Sequence, residues 1–268
     1  MKKLKFLATG LACMTLLAGF SSCSDDDDSA GDTIDTGAVF TSGWPKSAPG
    51  ISSITRNAEG LVTAMETDGG DVTFEYHNIK TRADGGAYVL MTLEYDGEKE
   101  YEAKLTLGGN GFVTRAEGTE YLEDYTDPDN WSFGYNSDGQ LNYVRHTSTD
   151  EDEETRITHS GGDITQVTET DNEGDGGYTF SFSYTSDEVT TPIENRSGIM
   201  IYDGIFEVDL DQMSVLYFAG LLGKATKHLP VSEYDQDADE TYRFEWNINN
   251  AGLPEWVSVD GYREYFEW

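Results

Sequence analysis

The sequence predicts a mainly β protein: an antiparallel up-and-down meander of about 12 to 14 strands, curled into an open or partial barrel around one buried helix near residues 210–223. Three observations lead there. Short runs of β-branched and aromatic residues alternate with glycine turns along most of the chain, aromatic pairs spaced i, i+2 recur from hairpin to hairpin, and one late segment is apolar on all sides. Aromatics at i and i+2 of a strand share a face, so the repeated pairs line one surface of the sheet. The apolar segment is the element available to cover it.

The strands begin near Ile51. Ile51 to Asn57, Leu61 to Thr67 and Asp71 to Asn78 are β-rich runs parted by Ala58-Glu59-Gly60 and Asp68-Gly69-Gly70, which carry the glycine that tight hairpins demand. Ala87 to Tyr95 and Glu98 to Leu107 flank Asp96-Gly97, a type I′ turn signal. In the second of these, Tyr101, Ala103, Leu105 and Leu107 point one way and Glu100, Glu102, Lys104 and Thr106 the other, giving one dry face and one wet face. The aromatic pairs are Phe74/Tyr76, Phe133/Tyr135, Phe182/Tyr184, Phe244/Trp246 and Phe266/Trp268. Glycine turns leading into short apolar strands recur at Gly60, Gly111, Gly139, Gly162 and Gly252, at irregular spacing, so the repeating unit is a hairpin and not a solenoid coil.

Leu210 to Leu222 breaks the β rhythm. It is good helix-forming sequence, with Asp209 and Gln212 at capping-box spacing and Gly223 placed to end it. A helix with no polar face is buried on most sides, which makes this one a plug or lid on the aromatic face.

The front of the chain carries an address. Lys2, Lys3 and Lys5 precede an apolar run from Phe6 to Leu17, the layout of a signal peptide and too short to span a bilayer. Gly19, Ser21 and Ser22 lead into Cys23, and the stretch resembles a bacterial lipobox, which implies cleavage before Cys23 and acylation of its thiol. Asp25 to Asp28 look like the acidic export signal of Gram-negative surface lipoproteins. The expected organisation is a signal peptide over 1–22, an acidic tether over 23–50 and one β-rich domain over 51–268. The partner this implies is the outer membrane, reached from the cell surface through a lipid anchor. Two or three acyl chains hold a protein permanently where one binds marginally.

Removing residues 1–22 takes three of the 17 basic residues and no acid, leaving 14 against 51 and a net charge of −37. That surface repels nucleic acid and anionic headgroups and admits neutral or cationic ligands. Cys13 leaves with the signal and Cys23 is committed to lipid, so stability comes from core burial and strand pairing without a disulfide.

Chemistry-bearing motifs are absent: there is no G-x-S-x-G, H-E-x-x-H or C-x-x-C, and the reading is of a protein that is not an enzyme and carries no cofactor. His77, His146, His159 and His228 lack metal spacing and read as strand or surface histidines. Asp235, Asp237 and Asp239 match positions 1, 3 and 5 of a calcium loop, but Glu240 replaces its glycine and Trp246 its bidentate glutamate, which leaves a weak Ca²⁺ candidate. Asp171, Glu173 and Asp175, and Asp150 to Glu154, form two further oxygen-rich loops. The aromatic surplus points to a binding or scaffold role for glycan, or for another cell-surface protein, with Trp131, Trp246 and Trp256 as ligand candidates. Two alternatives stand beside it: a glycan-active hydrolase using paired carboxylates, and a transmembrane barrel, suggested by the aromatic strand that ends at Trp268.

The acidic lipoprotein signal, the glycine-turn and Phe-x-Tyr hairpins, the late buried helix and the closing Tyr-Arg-Phe-Glu-Trp strand at 242–246 resemble a family of uncharacterised bacterial surface lipoproteins, described as a domain of unknown function with a porin-like fold. The resemblance covers Ile51 to Trp268. It implies a fold and no activity.

Overall fold

The computed structural model describes residues 39–40, 42–79, 86–171 and 177–268. The signal segment, Cys23, the aspartate run at 25–28, and Glu173 and Asp175 of the second acidic loop lie outside the described residues. The strands are β1 (Ile51–Arg56), β2 (Val62–Thr67), β3 (Gly70–His77), β4 (Tyr88–Tyr95), β5 (Glu98–Leu107) and β6 (Val113–Tyr121). There follow β7 (Thr126–Tyr135), β8 (Leu141–Thr147), β9 (Asp152–Ser160), β10 (Asp163–Asp171), β11 (Thr179–Ser183) and β12 (Ile193–Glu194). After an interruption come β13 (His228–Leu229), β14 (Ser232–Asp235), β15 (Glu240–Ile248), β16 (Pro254–Val259) and β17 (Tyr262–Tyr265).

Fifteen of these form one antiparallel sheet in chain order, with β11 pairing directly to β14, while β12 and β13 make a separate pair. The meander is as the sequence predicts, with more strands than the expected number. At the Asp96-Gly97 turn both residues have positive φ, 53° and 81°, the signature of a type I′ hairpin. The alternation in β5 holds: Tyr101, Ala103 and Leu105 are buried, while Glu100 and Lys104 are exposed. The sheet curls around its apolar face without closing. Its two ends are linked through the residues before β1, where the Lys46 amide donates to the Glu267 carbonyl at 2.7 Å and Ser47 bridges Glu267.

The chain between β11 and β14 fills the interior. Ile199, Tyr202, Leu210, Met213, Leu216, Tyr217 and Leu222 are all at most 3% exposed and pack against the inward residues of the sheet. The burial follows the sequence, but the helix is shorter than predicted. A 3₁₀ turn over Asp211–Ser214 passes into one α-turn over Val215–Phe218. Gly220, at φ 76°, ends it there, with its amide bonded to the Tyr217 carbonyl and the Leu221 amide bonded to the Leu216 carbonyl at 2.9 Å, a Schellman motif. Gly220 therefore takes the role expected of Gly223. The capping box is also incomplete: Asp209 accepts from the Asp211 amide at 3.2 Å. Burial of Met213, Leu216, Tyr217 and Phe218 in the core stabilises this path, so a full-length helical ladder is not required.

The expected tether also ends earlier than residue 50. Val39 and Phe40 are in the core, and the Phe40 ring packs on Trp44 and on the edge of Tyr217 at 4.9 and 5.6 Å between centroids. Two adjacent apolar residues inside a polar linker are enough to draw it onto the domain, since each side chain buried there contributes about 1.5–3 kcal/mol.

Candidate functional site

The hairpin turns divide the sheet into two rims. At one, the turns at 108–112, 136–140 and 160–163 are stitched to the plug: the Val113 amide donates to the Leu221 carbonyl, Lys224 to Gly139 and Lys227 to Gly162, at 2.9 to 3.0 Å. The other rim is open and acidic. There the plug residues Asp203, Glu207, Asp209 and Asp211 meet carboxylates from the ends of β7, β9, β10 and β14. Glu207 and Asp211 hold left-handed backbone conformations at φ 49° and 42°, uncommon for residues other than glycine.

A cavity of about 470 Å³ opens at this rim, lined by Glu169, Glu207, Glu233, Asp203, Asp209 and Asp235, with Tyr178 and Tyr242 beside them and no basic side chain among the described residues of its wall. Glu233 is 4% exposed and its Oε2 has no hydrogen-bond partner. Burial, reinforced by Glu207, Asp235 and Asp260, pushes its carboxyl up to about 8. Burial and the neighbouring Glu153 and Asp209 raise Glu169 to about 7. Asp203 and Glu207 are raised by burial and by the acids around them. Carboxylates packed this closely hold protons that solvated ones would release. A second cavity, of about 690 Å³, lies between the plug and the first and last strands, with a largely apolar wall that includes Val72, Leu93, Phe218 and Val257.

Deeper in the same rim, Asp129 on β7 is buried and accepts from the Tyr101 hydroxyl at 2.5 Å, the Trp131 indole N–H at 2.8 Å and His146 Nε2. Burial alone would raise its carboxyl, but the donated bonds from His146, Tyr101 and Trp131 outweigh it and hold the group below the usual carboxylate range. The His146 ring stacks on Trp131, 3.9 Å between centroids. Its Nδ1 lies 3.4 Å from Glu151 Oε2. For His146, burial opposes the charged form, while the bond to Asp129 and the charges of Asp129, Glu151 and Asp211 prevail and raise its pKa. Gly118 makes room for this arrangement, because a methyl group there would overlap the Tyr101 hydroxyl and the Asp129 carbonyl.

The residues singled out from the sequence do not converge. Trp131 is 2% exposed beneath His146. Trp246 faces inward, half-buried, its N–H donated to the Pro230 carbonyl at 2.7 Å. Trp256 lies on the opposite face of the sheet with Arg263 4.2 Å over its ring. The Asp235, Asp237 and Asp239 carboxylates are engaged within and beside their turn: Asp235 accepts from the amides of Asp237 and Ala238, Asp237 from the Thr179 amide, and Asp239 from the Tyr234 hydroxyl. Among the described residues, the group of acids and histidines placed for a common ion is His146, Glu151 and Asp211.

The sequence reading missed Asp129, Glu169, Glu207 and Glu233, and read His146, which is buried on β8, as a strand or surface histidine. One signal was available, since strand alternation places Asp129 and Glu233 at inward positions where an acid is out of place. The exposed aromatics are tyrosines, among them Tyr125, Tyr178 and Tyr262 at 63, 56 and 82%, all at the turns of the acidic rim.

A curled antiparallel sheet filled by its own insertion, with one rim sealed and one acidic, defines the class. The family model described as a domain of unknown function (DUF4595) with porin-like fold matches residues 52–255, and the chain belongs to that family. Its fold is similar to the crystal structure of a porin-like protein from Bacteroides uniformis, at 16% identity and a TM-score of 0.54 over 80% of this chain and 86% of that one. A porin-like protein from Bacteroides vulgatus matches at 9% identity and a TM-score of 0.52, over 84% of this chain and 99% of that one. No curated protein matches the chain.

Proposed function

We propose that the chain is a non-catalytic binding module, tethered to the outer membrane and displayed at the cell surface through an acylated Cys23, that takes a cationic ligand in its acidic cavity. The observation that carries this reading is the wall of carboxylates without a counter-charge among the described residues, with the buried Glu233 oxygen left unpartnered inside it. A cation entering the cavity relieves the repulsion that holds protons on Glu169 and Glu233, so binding releases protons and strengthens as pH rises. The outer face of the sheet supports a tether over an embedded barrel. It carries ion pairs such as Arg145–Asp152 and Arg115–Glu117, both at 3.1 Å, whereas a membrane barrel turns an apolar band outward.

Calorimetric titration with spermidine tests the cavity. The reading expects binding that weakens with salt and weakens at least tenfold in a Glu169→Gln/Glu207→Gln variant; equal affinity in the variant, or no binding, overturns it. Labelling cells with radioactive palmitate tests the anchor, and label retained by a Cys23→Ala form refutes it. The exposed tyrosines around the rim favour glycan as the second reading, because tyrosine rings offer sugar-stacking faces. On a glycan array this predicts salt-insensitive binding of neutral sugars, lost on Tyr178→Ala.

A further inference from the structure

His146, Glu151 and Asp211 come from three separate places: strand β8, the turn that follows it, and the plug. Their ligand atoms nonetheless lie within 4.8 Å of one another. The histidine side chain is 8% exposed, so it is built into the wall and is not a stray surface group. Its Nε2 is committed to the buried Asp129, which is itself fixed by Tyr101 and Trp131. That bond occupies Nε2 and leaves Nδ1, beside Glu151 Oε2, as the ring nitrogen available to a metal. A carboxylate on the far nitrogen of a histidine is the support that metal-bound histidines carry. The 3.4 Å between Nδ1 and Glu151 Oε2 also fits a metal: two ligands ~2.1 Å from a tetrahedral ion stand ~3.4 Å apart.

We propose that these three residues form a divalent transition-metal site of the zinc class, with Asp129 as the positioning residue for His146. One imidazole nitrogen and two carboxylate oxygens select zinc or its neighbours over calcium or magnesium, which prefer oxygen alone. Because Asp211 belongs to the plug while His146 and Glu151 belong to the sheet, the ion pins one to the other. None of the three lines the cavity assigned to the cationic ligand, so the two sites stand or fall separately.

The test uses the full-length chain, stripped with a chelator and titrated with Zn²⁺ by calorimetry and with Co²⁺ by visible absorption. The expected result is one equivalent bound, strong Co²⁺ ligand-field bands and a Zn²⁺-dependent rise in melting temperature. Glu151→Gln and Asp211→Asn, both at exposed positions that leave the core intact, are expected to weaken Zn²⁺ at least tenfold and to abolish the thermal shift. Asp129→Asn is expected to weaken it by about 10- to 100-fold. Parent-like Zn²⁺ affinity in both Glu151→Gln and Asp211→Asn, or the absence of Co²⁺ bands, overturns the proposal.

Discussion

Where the plug meets the turns at 108–112, 136–140 and 160–163, backbone amides find carbonyls, and Gln140 bridges two strands of chain by donating to the Gly162 and Ala225 carbonyls at 2.9 Å. At the opposite rim the same plug turns acidic side chains toward other acidic side chains, and Glu233 is buried with an oxygen left over. One end ties the plug to the turns through backbone hydrogen bonds, and on that side Arg56 Nε, Tyr76 Oη and His77 Nε2 are, among the described residues, the buried polar atoms without hydrogen-bond partners. The other accumulates like charge at a cost to stability, with burial and neighbouring acids raising Glu169 and Glu233. The two ends are joined by the buried plug, so each can be perturbed while the other serves as control.

The largest expected effect is at the plug. Tyr217 is fully buried, donates its hydroxyl to the Gly198 carbonyl and packs on Tyr202 and Phe40. Tyr217→Ala is expected to cost about 4 to 5 kcal/mol in urea unfolding. A loss under about 1 kcal/mol would show that the plug is not part of the cooperative core.

At the acidic rim the sign reverses. Glu233 binds its proton more tightly in the folded chain, at about 8, than at its ordinary value of 4.5. Its stabilising contribution is therefore fully present below about pH 4.5 and is lost as pH rises through about 8. Glu233→Gln removes that dependence and is expected to stabilise the protein by about 3 kcal/mol at pH 9, with the gain disappearing toward pH 5. Melting temperatures measured from pH 5 to 9 decide it. Parallel curves for parent and variant would mean that Glu233 titrates like a solvated acid.

A smaller effect is expected between the two ends. Gly118→Ala drives a methyl group into the Tyr101 hydroxyl and the Asp129 carbonyl. The expected loss is about 2 kcal/mol, the usual cost of overpacking. A Tyr101→Phe background should recover part of it, because one of the two clashing groups is gone. No recovery would place the strain at the Asp129 backbone alone.

Particular elements show how far the sequence could be read. The β5 alternation, the Asp96-Gly97 turn and the apolar character of 210–222 are local properties of period, backbone freedom and composition, and the structure keeps each of them. The length of the helix was not legible, because its termination at Gly220 depends on where the sheet presses against it. The inclusion of Val39 and Phe40 was not legible either, since two apolar residues in a polar stretch acquire meaning only when a core is there to receive them. The site was the least visible part. His146, Glu151 and Asp211 span 65 residues of sequence between the first and the last of them, and no spacing rule joins them.

The sequence by itself determined the curled antiparallel meander and its filling, because strand period, turn chemistry and hydrophobic burial act over a few residues at a time. Tertiary structure alone decided which acids meet at the open rim and which oxygens are left without partners. Those facts depend on how the plug folds back into the sheet, and the electrostatic cost of bringing like charges together exists only once that path has been taken.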